Sequence, residues 1–265
     1  VKPALQFSHA NGFPAGCYRA FLAPLAGPFR IGAVEAFGTD PRYPVTERWL
    51  HLVEQLVDEL VARWRGEPVY GVGHSLGGYL TFLAAVQRPE LFRAIVLLDA
   101  PILGAVKGAL LGATKRIGIV DRVTPAAAAR ERRSEWPSRA AAREHFRVRP
   151  PYRAFDRECL EDWLRAGLVR QGGRLRLRIP PQTEAHIYRT FPHDMARHLP
   201  RLAVPAAFVG GTRSEVIARV GMRTMRGPRF LKRRVPGSHL FPFERPREAA
   251  AAVAELIGAL ASHAC

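Results

Sequence analysis

The chain has 265 residues, enough to bury one large core without splitting into independent domains. Its 48% hydrophobic and 24% charged residues are the proportions of a globular protein, and no apolar run approaches the roughly 18 residues that a bilayer span needs. The net charge of +17 invites a nucleic-acid reading, yet residues 1–100 balance at 9 basic and 9 acidic side chains, and no helix-turn-helix, zinc or RNP-like pattern accompanies the later excess.

Leu5-Gln6-Phe7-Ser8 reads as a short strand, closed by the turn-rich loop His9-Ala10-Asn11-Gly12-Phe13-Pro14. A helix over 17–26 and a strand over Ile31–Phe37 follow. Trp49, Leu52, Val53, Leu56, Val57, Leu60 and Val61 lie at helical spacing, with Gly66 as a stop. Val69–Val72 is a β-rich run that stops at Gly73-His74-Ser75-Leu76-Gly77, and from Gly78 the pattern turns helical up to Pro89. A strand, a sharp turn and a helix with one serine at the turn leave that hydroxyl exposed. They also set backbone N–H groups, that of Leu76 above all, where negative charge would develop. Ala94–Leu98 is a continuous apolar run of the kind found in central parallel strands.

After Asp99-Ala100-Pro101 the strand rhythm disappears for about a hundred residues, leaving an Arg- and Ala-rich segment. Helices are expected in it around 125–145 and 156–168, between prolines at 137, 150–151, 180–181 and 192. The rhythm resumes at Val204–Val209, then a helix over 214–226, a strand at Phe230–Val235 and a last helix over 246–261. Strands alternating with helices predict an α/β fold, a doubly wound, mostly parallel sheet. Residues 1–100 and 201–265 make its core, and 101–200 an inserted helical cap.

A serine hydroxyl is a poor nucleophile until a base takes its proton, so Ser75 calls for a histidine and for a carboxylate to orient it. His239 is the candidate base, because Pro236-Gly237-Ser238-His239 closes a strand and precedes the final helix. Two acids sit at strand carboxyl ends: Glu215, the preferred one, which follows the strand 204–209 through Gly210-Gly211-Thr212-Arg213-Ser214, and Asp99, the alternative, which ends the preceding core strand. Ser214 also allows Glu215 to be an ordinary first-turn helix residue.

In this order, Gly-His-Ser-Leu-Gly-Gly, Gly-Gly-Thr-Arg-Ser-Glu and Pro-Gly-Ser-His, the chain resembles the serine-nucleophile branch of the α/β-hydrolase superfamily, the capped esterases and lipases. The resemblance implies a triad of Ser75, His239 and Glu215. It also implies an oxyanion hole from the backbone amides of Leu76 and, by alignment on Gly12-Phe13-Pro14, Phe13, with Asn11 as alternative. Relatives that use Asp at the elbow, the haloalkane dehalogenases and epoxide hydrolases, are excluded by Ser75. The expected reaction is hydrolysis of a small or medium carboxylic ester through an acyl-enzyme, with no metal and no organic cofactor. C–C bond, thioester or lactone hydrolysis on the same fold, or a non-catalytic ligand-binding role, are the alternatives. His74 reads as a polar-network residue and His9 as a brace for the oxyanion loop, while His186, His193 and His198 lack ligand spacing. Trp136, Phe146, Phe155, Trp163 and Leu240–Phe243 are candidates to line an acyl pocket. Cys17, Cys159 and Cys265 are too scattered for a disulfide framework. The absence of a signal-like start and the scattered cysteines point to the cytoplasm, and the expected partner is a small-molecule ester-like substrate, with no nucleic acid as a main role and no membrane span.

Overall fold

A computed structural model describes residues 1–150, 152–226 and 230–262; Pro151 and Cys265 lie outside them. Up to the fourth strand the chain runs β1 (Ala4–Ser8), α1 (Arg19–Leu22), β2 (Arg30–Ala33), α2 (Leu50–Trp64), β3 (Val69–His74), α3 (Leu76–Gln87) and β4 (Phe92–Leu98). The next stretch holds α4 (Ala105–Arg116), α5 (Val120–Val123), α6 (Ala126–Glu131), β5 (Glu135–Trp136), α7 (Arg139–Arg147), α8 (Arg157–Ala166), β6 (Leu168–Gln171), β7 (Arg174–Leu177) and α9 (Pro181–Arg189). The chain then returns through β8 (Ala206–Gly211), α10 (Glu215–Val220), β9 (Phe230–Val235), α11 (Phe241–Glu244) and α12 (Pro246–Ser262).

Six strands form one sheet in the order β2-β1-β3-β4-β8-β9, and every pairing in it is parallel. The continuous apolar runs follow from burial of both faces. In β4 the two-residue period sends Ala94, Val96 and Leu98 to the side covered by α1 and α12, and Ile95 and Leu97 to the side covered by α2 and α3. Pressed between sheet and α2, α3 is buried along its whole length but for Gln87. Gln6 on the central β1 is tolerated because its Oε1 accepts the indole N–H of Trp64 at 2.9 Å.

The chain leaves β1 for β2 on one side and reaches β3 on the other. The carboxyl ends of β1 and β3 therefore face each other at a topological switch point, where open α/β sheets bind ligands.

The stretch between β4 and β8 is not purely helical as expected. β5, β7 and β6 make a small antiparallel sheet, and β6 and β7 form a hairpin with Gln171 opposite Arg174. Its two-residue turn, Gly172-Gly173, has φ of +57° and +77°, the backbone a tight hairpin requires. The signal was present in Leu-Val-Arg-Gln-Gly-Gly-Arg-Leu-Arg-Leu, where alternating arginines point outward from the hairpin. The expected helix over 125–145 is accordingly broken into α6, β5 and α7, and that over 214–226 stops at Val220. Trp136, Phe146 and Trp163 from this stretch pack in one continuous apolar cluster with Phe7 and Phe21 of the core. The buried Asp162 of α8 adds a polar tie, accepting from Arg19 Nε (2.7 Å), the Ala20 amide (3.1 Å) and Arg165 Nη1 (2.9 Å).

Candidate active site

Ser75 stands between β3 and α3 with φ 52° and ψ −115°, a conformation disfavoured for a side chain with a Cβ. The surroundings impose it. A Cβ on Gly77 would lie 2.0 Å from the carbonyl oxygen of Ser8, and one on Gly73 would lie 2.2 Å from that of Gly77. The Gly77 amide donates to the His9 carbonyl at 3.0 Å, locking the start of α3 to the loop after β1.

His239, on the loop after β9, reaches Ser75 Oγ with Nε2 at 3.0 Å and Asp99 Oδ2 with Nδ1 at 2.7 Å. Asp99 is fully buried. Its Oδ1 accepts the Gly211 amide (2.9 Å), and Oδ2 also accepts the Ser214 hydroxyl. A carboxylate with its lone pairs so occupied is fixed in place and aimed at the imidazole.

The acid facing His239 is therefore Asp99, and the preference for Glu215 is corrected. Ser214 ends the loop after β8 and caps α10 by accepting the Ile217 amide at 3.1 Å, while its hydroxyl turns to Asp99. Glu215 is the exposed first residue of that helix, without a bond to His239. A serine followed directly by an acid is itself a helix-start pattern, the local signal for this outcome.

The amide of Phe13, expected as the second oxyanion donor, is not free. The Phe13 amide is taken by the Ala10 carbonyl at 3.0 Å, closing a turn. The amides of Leu76 and Asn11 donate to no acceptor among the described residues, and Asn11 lines the same cavity as Ser75. Asn11 is held by its own side chain, whose Nδ2 donates to the Glu184 carbonyl at 3.0 Å.

Two further histidines brace these loops. His9 donates from Nδ1 to the Ala10 carbonyl (2.8 Å) and accepts the Phe37 amide at Nε2 (2.8 Å); burial lowers its pKa to about 4. The buried His74 donates from Nε2 to the His239 carbonyl (2.9 Å), so its Nδ1 accepts the Tyr18 hydroxyl (2.7 Å), which in turn accepts the Ala10 amide (3.1 Å). Burial, then the neighbouring His239, push its pKa well below the usual range. One chain of hydrogen bonds thus links the loop after β1 to the loop carrying His239.

The family model for the alpha/beta hydrolase family matches residues 7–253. The chain belongs to that family. Among solved structures, the hydrolase is similar to E-2-(acetamidomethylene)succinate hydrolase, with 21% identity and a TM-score of 0.76 over 97% of this chain and 91% of that one. It is also similar to the peroxisomal alpha-beta-hydrolase Lpx1 of Saccharomyces cerevisiae (14% identity, TM-score 0.76, 99% and 80% covered). A third is the enol-lactonase of Burkholderia xenovorans (15% identity, TM-score 0.63, 97% and 92% covered). At these identities the likeness is one of fold. A search of curated protein sequences finds no match.

Above Ser75 the hydrolase encloses a cavity of about 1350 Å³, larger than the usual ligand pocket. Leu103, Leu110, Phe146, Tyr188 and Phe191 from the stretch between β4 and β8 line it. Of the other aromatics expected there, Trp136, Trp163 and Phe155 pack in or against the apolar cluster instead, and of Leu240–Phe243 only Leu240 reaches the cavity.

Proposed function

We propose that the protein is a serine hydrolase that cleaves carboxylic esters of small or medium acyl groups through an acyl-enzyme. The observation that carries this reading is the unbroken chain from Ser75 Oγ through both nitrogens of His239 to the buried Asp99. His239 Nε2 takes the hydroxyl proton as Oγ attacks the ester carbonyl. The negative charge that develops on the carbonyl oxygen is held by the Leu76 and Asn11 amides. His239 then returns the proton to the leaving alkoxide, and a water activated at the same nitrogen releases the acid. Asp99 keeps the imidazole in the tautomer with its proton on Nδ1 and offsets the imidazolium charge. The segment over 101–200 serves as the cap that shapes the acyl and alcohol sites.

p-Nitrophenyl esters of graded chain length test the reading, with a thioester and a lactone as parallel arms. Ester turnover that drops at least about a thousandfold in Ser75→Ala is the expected result. Turnover that survives this substitution, or none in the unaltered protein, counts against it; the latter fits a binding role. Faster release from the thioester or lactone than from any ester would reassign the substrate and keep the mechanism.

A further inference from the structure

The cavity wall between Arg132 and Arg149 carries charge that ester cleavage does not use. Arg132 is matched: Nη1 donates to Glu184 Oε2 at 2.7 Å and Nη2 to the Tyr152 hydroxyl at 2.8 Å. Arg133 and Arg149 are not. Both line the cavity and both are exposed, yet among the described residues neither has a carboxylate within ion-pairing distance. The adjacent Glu131 is turned to Arg130, 3.6 Å away.

Trp136 gathers the group. The guanidinium carbon of Arg133 lies 5.6 Å from its ring centroid, fixed by a bond from Nε to the Glu135 carbonyl at 3.0 Å. The His145 ring lies 5.3 Å from the same indole and also lines the cavity. Arg149 lies four residues after His145, just past the end of α7, where its amide donates to the Phe146 carbonyl at 3.1 Å. Burial, then the flanking Arg149, Arg133 and Arg132, lower the pKa of His145, so at neutral pH the ring is an uncharged hydrogen-bonding group.

We propose that the ester taken by this cavity carries an anionic group, carboxylate or phosphate, away from its scissile carbonyl, and that Arg133 and Arg149 bind that anion with His145 as a third donor. The inference rests on the hydrolase reading and names its substrate class. Planar guanidinium forks match both anions, and at an exposed rim the anion keeps part of its hydration, so little desolvation opposes the contact. A cavity of about 1350 Å³ also has room for more than a short neutral acyl chain.

The experiment compares p-nitrophenyl half-esters of dicarboxylic acids, succinate to suberate, with neutral p-nitrophenyl esters of equal length. The expected result is a roughly tenfold higher kcat/KM for the best half-ester, declining as salt is raised. In Arg133→Gln/Arg149→Gln the preference should fall to near parity, while the neutral ester changes by less than about twofold. An acyl-coenzyme A, followed by thiol release, is the phosphate arm: preference for it over the half-esters, lost in the double variant, assigns phosphate, and the reverse assigns carboxylate. No preference for either anion, or a preference that survives the double variant, overturns the proposal. Calorimetric binding of the half-ester to Ser75→Ala, with and without the two arginines, reads the anion site without turnover. A protein inactive on every ester, anionic or neutral, would thus lose the hydrolase reading, while the binding measurement still decides the anion site.

Discussion

At Asp99 three donors converge on one buried carboxylate: the Gly211 amide, the Ser214 hydroxyl and His239 Nδ1. Removing its charge leaves the imidazole with the wrong proton arrangement, whereas the exposed Glu215 has no part in that network. Asp99→Asn is expected to lower kcat by about a hundred- to ten-thousandfold, and Glu215→Gln to leave it within about twofold. Steady-state kinetics on one chromogenic ester compares them directly. Tyr18 acts one step further out, through His74 to the carbonyl of His239. Tyr18→Phe leaves His74 Nδ1 and the Ala10 amide unpaired in a buried place, so stability should drop by about 1–3 kcal/mol. If Tyr18 only fills space, kcat and KM will stay as they are; a positioning role predicts a several-fold lower kcat with KM little changed.

At the scale of elements, the crossing of α3 over the loop after β1 leaves no room for a methyl group. Gly77→Ala would set a Cβ 2.0 Å from the Ser8 carbonyl, well inside contact distance, and backbone on both sides prevents relief. The expected outcome is protein that fails to accumulate in soluble form or melts far below the parent, read by thermal denaturation. The join between α8 and α1 rests on the buried Asp162, whose partners Arg19 and Arg165 are themselves largely exposed. Breaking a buried pair costs about 3–5 kcal/mol when an uncompensated charge is left inside. Here the orphaned guanidinium groups reach water, so Asp162→Ala should cost nearer 2–3 kcal/mol in urea unfolding, chiefly through the lost Ala20 amide contact and the space left behind.

Across the whole molecule, pH acts through histidines that the fold keeps neutral. The His9 pKa stands at about 4 against an ordinary 6.5, because burial penalises the charged ring and Nε2 already serves as acceptor for Phe37. Below pH 6.5 the unfolded chain binds a proton that the folded one refuses, so stability is full above 6.5 and is lost as pH falls toward 4. That single group accounts for about 3 kcal/mol over the window, and His74 acts in the same direction. Melting temperature followed from pH 7.5 down to pH 4.5 should show the decline, flattened in His9→Gln. A flat profile in the parent protein would contradict the buried, neutral assignment. The +17 net charge acts at this scale too, drawing anions over a distance that salt limits to about 8 Å under physiological conditions. Retention on a DNA column at low salt is expected to vanish by about 0.15 M.

Ser75 and His239 were readable from the chain because each sits in a short pattern that local physics enforces: a strand broken by small residues before a helix, and a Pro-Gly turn after a strand. The alternation of strands and helices in a mostly parallel sheet was readable for the same reason, since periodicity reports which faces are buried. Which carboxylate meets the imidazole was not. Asp99 and Glu215 end neighbouring strands, and the choice depends on how the loop after β8 turns Ser214 inward, toward a partner 115 residues earlier. The free amide in the loop after β1 was hidden likewise, because Phe13 and Asn11 differ only in whether a turn has already claimed their hydrogen. Local sequence sets backbone angles and burial, but hydrogen-bond partners far apart in the chain are chosen by side-chain direction, which exists only once the strands have been brought side by side.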